Sequence, residues 1–109
     1  MAKEYQFLPD KWKCVNSFNT NYAYPKNNSG VYLLVKPEPD YENRKFNYEI
    51  LYVGSSTKLK QRYENHEVIK KLTDIYGYVQ FFFRECDNFL IEEYKLIKKI
   101  QPKYNKIGK

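Results

Sequence analysis

The chain has 109 residues, 42% of them hydrophobic and 18% aromatic, and carries a net charge of +6 with an isoelectric point near 9.2. That length holds one domain with one modest core. The basic balance points to nucleic acid or another anionic surface, set against the plainer reading of solubility alone.

Two cysteines, Cys14 and Cys86, and a single histidine, His66, leave neither a disulfide framework nor a Cys/His zinc cluster. A Ser-His-Asp triad would need His66 as its base. No apolar run approaches the roughly 18 residues of a membrane span, and the charged first residues do not read as a secretory signal. A cytoplasmic protein is expected.

Residues 1–29 are polar and aromatic and read as an N-terminal extension that packs on a domain of residues 30–109. A short helix around Pro9–Cys14 fits the start, and Pro25, Asn27, Asn28, Ser29 and Gly30 close the segment as a loop. Gly30–Val35 is a near-continuous β-forming run, predicted to end before Pro37 and Pro39, which lack the donor a ladder needs. Tyr48–Gly54 is the second strand, and the two suggest an antiparallel hairpin with a long, charged loop over 37–46 that protrudes. Ser55, Ser56 or Thr57 offers an N-cap to a helix over 58–71. Gly77–Arg84 is a third strand. Asp87 or Asn88 opens a last helix over 89–99, which Pro102 stops. The order β-β-α-β-α predicts an α/β (α+β) fold, a small, mostly antiparallel three-stranded sheet flanked by helices.

One residue departs from a bland reading. With Glu93 at zero on a helical wheel, Phe89, Leu90, Leu96, Ile97 and Ile100 all fall within about 60° of it. A carboxylate centred on an apolar stripe is costly unless it is paired, reaches a cleft or binds a metal. All three options stay open for Glu93. Arg62 and His66, four apart, share a helical face and could grip a phosphate, although a solvated flank is the commoner meaning. Each of the first two strands also sets a Tyr near a Gly, in Gly30-Val31-Tyr32 and Tyr52-Val53-Gly54. Paired strands can bring two such rings to one face, where packing is the ordinary role.

Taken in order, these features resemble the GIY-YIG nuclease superfamily. Gly30-Val31-Tyr32 and Tyr52-Val53-Gly54 match the signature halves, and Arg62 and His66 match the segment that follows. Glu93, Leu96-Ile97, Pro102 and Tyr104-Asn105 match the last motif. The resemblance covers roughly residues 30–105. It implies the GIY-YIG nuclease fold and an endonuclease that hydrolyses DNA with one Mg²⁺ or Mn²⁺ ion. By the same resemblance Glu93 binds the metal, Arg62 clamps the scissile phosphate, and Tyr32 or Tyr52 deprotonates the attacking water. His66 holds a phosphate or supports the other Tyr, Asn105 braces the site, and Lys58 and Lys60 join Arg62 and His66 in holding nucleic acid. Two departures stand out: 19 residues separate Tyr32 from Tyr52, more than the family's usual spacing, and the separate DNA-binding domain that members usually carry is not expected within 109 residues.

Two other functions remain compatible with the sequence. One is a non-catalytic nucleic-acid binder on the same fold, although Tyr32, Tyr52, Arg62, Glu93 and Asn105 are all intact. The other is a partner-recruiting module that uses Trp12, Phe18, Tyr22 and Tyr24, or a homodimer whose two sites would cut both strands.

Overall fold

The computed structural model describes residues 7–16 and 22–106; Phe18 lies outside them. A 3-10 turn at Pro9–Lys11 leads into a two-residue strand β1 (Lys13–Cys14). Strands β2 (Gly30–Asp40) and β3 (Lys45–Ser56) follow, then helices α1 (Leu59–Glu64) and α2 (Glu67–Tyr76). Strand β4 (Gln80–Glu85), helix α3 (Phe89–Ile100) and a 3-10 turn at Lys103–Lys106 complete the order. The fold is α+β. Its sheet has four antiparallel strands rather than the expected three, in the order β1-β4-β2-β3. The added strand comes from the segment expected to form a helix around Pro9–Cys14. Only Pro9–Lys11 coils, and Lys13 and Cys14 pair with Phe83 and Phe82.

The sheet is covered on both sides, which is why Val31, Tyr32, Leu33, Leu34 and Val35 are all fully buried with no polar alternation. Tyr32, Leu34, Phe81 and Phe83 pack with Leu59 and Leu72 of α1 and α2. Val31, Leu33, Val35, Val53 and Phe82 pack with Leu96 of α3 and with Trp12. The period-two alternation of a strand therefore sends Tyr32 and Val31 to opposite layers.

The two prolines do not end β2. It runs on through Pro37 and Pro39, which pair with Tyr48 and Phe46 of β3. Val53 of β3 gives both its backbone groups to the Asn105 side chain, so its register partner Leu33 must direct its own N–H toward β4. Val35, Pro37 and Pro39 follow at steps of two and face the same way. Because β4 starts at Gln80, opposite Val35, the prolines stand where no strand among the described residues asks for a donor. The expected loop over 37–46 is thus mostly an extension of the hairpin, and the turn is Tyr41–Arg44, with Arg44 at φ 54°. A bulge between Leu34 and Val35 leaves Leu51 as the extra residue of β3.

The helix expected over 58–71 is two helices, broken at Asn65 and His66. None of Ser55, Ser56 or Thr57 is its N-cap; that position is Lys58, which gives no side-chain cap. The 26–28 loop supplies the acceptors instead. Leu59 N–H donates to the Asn28 carbonyl, Lys60 N–H to the Lys26 carbonyl and Gln61 N–H to Asn27 Oδ1. The first orphan donors of α1 are satisfied from across the fold. Helix α3 ends as expected before Pro102, with Gln101 in the left-handed region at φ 52°. Among the described residues no helix is long and apolar enough to cross a membrane.

Candidate active site

Tyr32 and Tyr52 meet on the α1–α2 side of the sheet. They sit on adjacent strands one register step apart, since Tyr32 pairs with Gly54 and Leu34 with Tyr52. Their rings stack with centroids 6.3 Å apart. Gly54 makes this possible: a Cβ there would collide with Cζ and Oη of Tyr32 and lie 2.8 Å from its Cε1. Gly30 is required for a different reason. A Cβ there would meet the Arg84 carbonyl and lie 2.9 Å from Glu85 Cα, so this glycine permits the close pairing of β2 with β4. Both glycines of the two short motifs thus have a steric cause.

Arg62 and His66 do not share a face of one helix, because the helix breaks between them. They converge through tertiary structure on one atom. Arg62 Nε donates to Tyr32 Oη at 3.2 Å, and His66 Nε2 lies 2.7 Å from the same oxygen. The break is what aims His66 inward. At the N-cap of α2, its Nδ1 accepts from Val68 N–H at 3.1 Å. An Nδ1 that accepts leaves the neutral ring's proton on Nε2, so His66 also donates to Tyr32. Two N–H donors therefore converge on one phenol oxygen.

Burial sets the electrostatics. It pushes the Tyr32 phenol up to about 12, with Arg62 opposing the rise and Tyr52 and Glu93 adding to it. Burial, helped by the Arg62 charge, pulls His66 down to about 4. Folded His66 is thus neutral where an unfolded His, with a pKa near 6.5, already takes a proton. Its contribution to stability is complete above about pH 6.5 and is lost as pH falls toward about 4. Chemical denaturation of wild type and His66→Gln across that window is the check. The stability gap between them should shrink by a few kcal/mol as the pH drops, and a constant gap would refute it.

Glu93 comes from the other layer. It is half-buried on α3, and Ser55 Oγ donates to its Oε1 at 2.6 Å. Ser55 follows Gly54 on the edge strand, so the carboxylate reaches the rim of β3 beside the Tyr32–Gly54 contact. The apolar stripe drawn around it holds for Phe89, Leu96, Ile97 and Ile100, but Leu90 is 66% exposed. Ser55 is a site residue that the motif spacing did not reveal. Its signal was parity, since it stands two residues from Val53 and so faces α3.

Asn105 does not point at the tyrosines. It is buried, and its amide acts as a short strand: Val53 N–H donates to Oδ1, and Nδ2 donates to the Val53 carbonyl, both at 2.7 Å. This fixes the edge strand between Tyr52 and Gly54. Asn105→Ala should cost about 2–4 kcal/mol, because it leaves two backbone polar groups buried without partners. A melting temperature equal to wild type would contradict that.

Lys58 and Arg62 line one open, polar hollow of about 270 Å³ with Ser56, Thr57, Gln61 and Asn65. Lys60 is exposed on the same helix and does not line it. Among the described residues no three His, Cys, Asp or Glu side chains form a metal cluster. A hard cation held by one carboxylate, waters and substrate phosphate needs no such cluster, so Glu93 fits a single-carboxylate site. No family model, curated protein or solved structure matches the chain.

Proposed function

We propose that this protein is a divalent-metal-dependent endonuclease that hydrolyses DNA phosphodiester bonds, with the GIY-YIG arrangement of its site. The observation that carries the reading is the convergence of Arg62 Nε and His66 Nε2 on Tyr32 Oη, with Tyr52 stacked beside it and Glu93 at the rim. Packing alone accounts for the tyrosines, but not for an Arg and a neutral His that converge on one phenol oxygen with a carboxylate at the rim of the same strand.

Arg62, held by Tyr32, lines the polar hollow, where it neutralises the scissile phosphate. His66, neutral and donating, fixes Tyr32 and adds no charge of its own. Tyr32 is fully buried and its oxygen is engaged by two donors, so it is the positioning tyrosine. Tyr52 is only half-buried and, as its phenolate, takes the proton of the attacking water. Glu93, oriented by Ser55, would hold one Mg²⁺ or Mn²⁺, which when bound stabilises charge on the phosphate and the leaving 3′ oxygen. Water adds to phosphorus as its proton passes to Tyr52, the bond to the 3′ oxygen breaks, solvent water protonates that oxygen, and the products carry 5′ phosphate and 3′ hydroxyl ends.

The test is nicking of supercoiled plasmid by pure protein at low salt, where phosphate-driven binding is strongest. Nicking that requires Mg²⁺ or Mn²⁺ and leaves ligatable ends is expected. Metal-independent binding that leaves plasmid, branched and single-stranded substrates whole would instead establish a non-catalytic binder.

A further inference from the structure

The outer face of α3 is occupied by residues that neither the core nor the site uses. Leu90 is 66% exposed, Ile91 56% and Tyr94 62%. On the helical wheel they fall within about 100° of arc, and Tyr94 follows Glu93 in the chain. Lys95, Lys98 and Lys99 are exposed on the next turns, and Lys98 Nζ stands 5.6 Å from the centroid of the Tyr94 ring. Of the acidic neighbours, Glu93 is held by Ser55, Glu92 is tied to Arg84 at 3.7 Å, and Asp87 precedes the helix.

We propose that this face is a stacking platform for unpaired bases beside the cut, so that the preferred substrate carries a single-stranded or unstacked stretch rather than intact duplex. The proposal rests on the endonuclease reading and names its substrate class. An intact duplex offers an incoming protein phosphates and sugars, while its base faces are stacked inside. Exposed Leu, Ile and Tyr side chains beside lysines gain little from such a surface. They gain from open base faces whose backbone runs over the cations, the pairing by which single strands are held. A base on the Tyr94 ring would have its phosphate within reach of Lys98. A second copy of the chain is the poorer occupant, because two faces of a +6 protein would set lysine against lysine.

The experiment is fluorescence anisotropy in metal-free buffer with a labelled single strand and with the same sequence as a duplex. Wild type, Tyr94→Ala and Tyr94→Phe are compared. Tyr94 is exposed, so folding is not at risk. Tyr94→Ala should weaken single-strand binding roughly ten-fold and leave duplex binding within about two-fold, while Tyr94→Phe keeps the wild-type preference. Equal loss on both substrates, or no loss on either, overturns the platform. So does concentration-dependent self-association of wild type that Tyr94→Ala abolishes, since the face would then belong to a second copy. Binding without metal is independent of cutting. A failed platform leaves Glu93-dependent nicking standing, and absent nicking does not change the anisotropy ratio.

Discussion

Glu93→Gln is expected to abolish metal-dependent nicking, and Arg62→Ala to slow it about 10²–10³-fold, the usual cost of losing one preorganised donor at a reacting centre. Glu93→Gln keeps the volume and a hydrogen-bonding oxygen for Ser55 but removes the charge that a hard cation requires. It should therefore lose activity while keeping its melting temperature. The two tyrosines should separate. Tyr52→Phe removes the proposed base and should cost about 10²–10⁴-fold. Tyr32→Phe removes the oxygen on which Arg62 and His66 converge, so it should lower stability as well as rate. Single-turnover rates with bound substrate, alongside thermal melts, measure all four. Wild-type rates for both Glu93→Gln and Arg62→Ala would sink the role assignments together.

The second large effect is steric. In Gly54→Ala the new methyl group would enter the space of the Tyr32 phenol. That ring cannot easily yield. It stacks on Phe81 with centroids 5.0 Å apart, meets the edge of His66 at 5.2 Å, and its oxygen is held from two sides. The substitution should cost about 1–3 kcal/mol, as overpacking does, and should displace the phenol from Arg62 and His66. The protein should stay folded yet lose most of its cleavage. Gly30→Ala meets backbone instead, at the Arg84 carbonyl and 2.9 Å from Glu85 Cα. It forces β2 and β4 apart, so its larger effect should appear in the melting temperature. Comparing nicking with thermal melts for the two variants separates a site glycine from a scaffold glycine. Wild-type behaviour of Gly54→Ala in both assays would show that the phenol is not confined as described.

Elements that depend on local periodicity can be read from the residues alone. Gly30–Val35 reads as a strand because β-forming residues run together, and α3 reads as a helix because Phe89, Glu93, Leu96 and Ile100 share one stripe. That stripe also marked Glu93, since a carboxylate facing the core is anomalous whatever packs on it. The antiparallel hairpin and the soft-stop signal at Pro102 were legible for the same local reasons.

Features that depend on a partner distant in sequence emerge only when the chain is folded. Pro37 and Pro39 continue a strand because β4 starts opposite Val35, a length that no window around the prolines contains. The first donors of α1 are capped by the 26–28 loop, so the local Ser and Thr residues misled as N-caps. Arg62 and His66 meet at Tyr32 through a helix break rather than through helical spacing, and burial then raises the phenol and keeps the imidazole neutral. Lys13 and Cys14 become a fourth strand because an open edge of β4 accepts them, and two residues carry too little pattern to announce it. Local propensity fixes what a segment can be; the hydrogen-bonding and burial demands of its neighbours fix what it becomes.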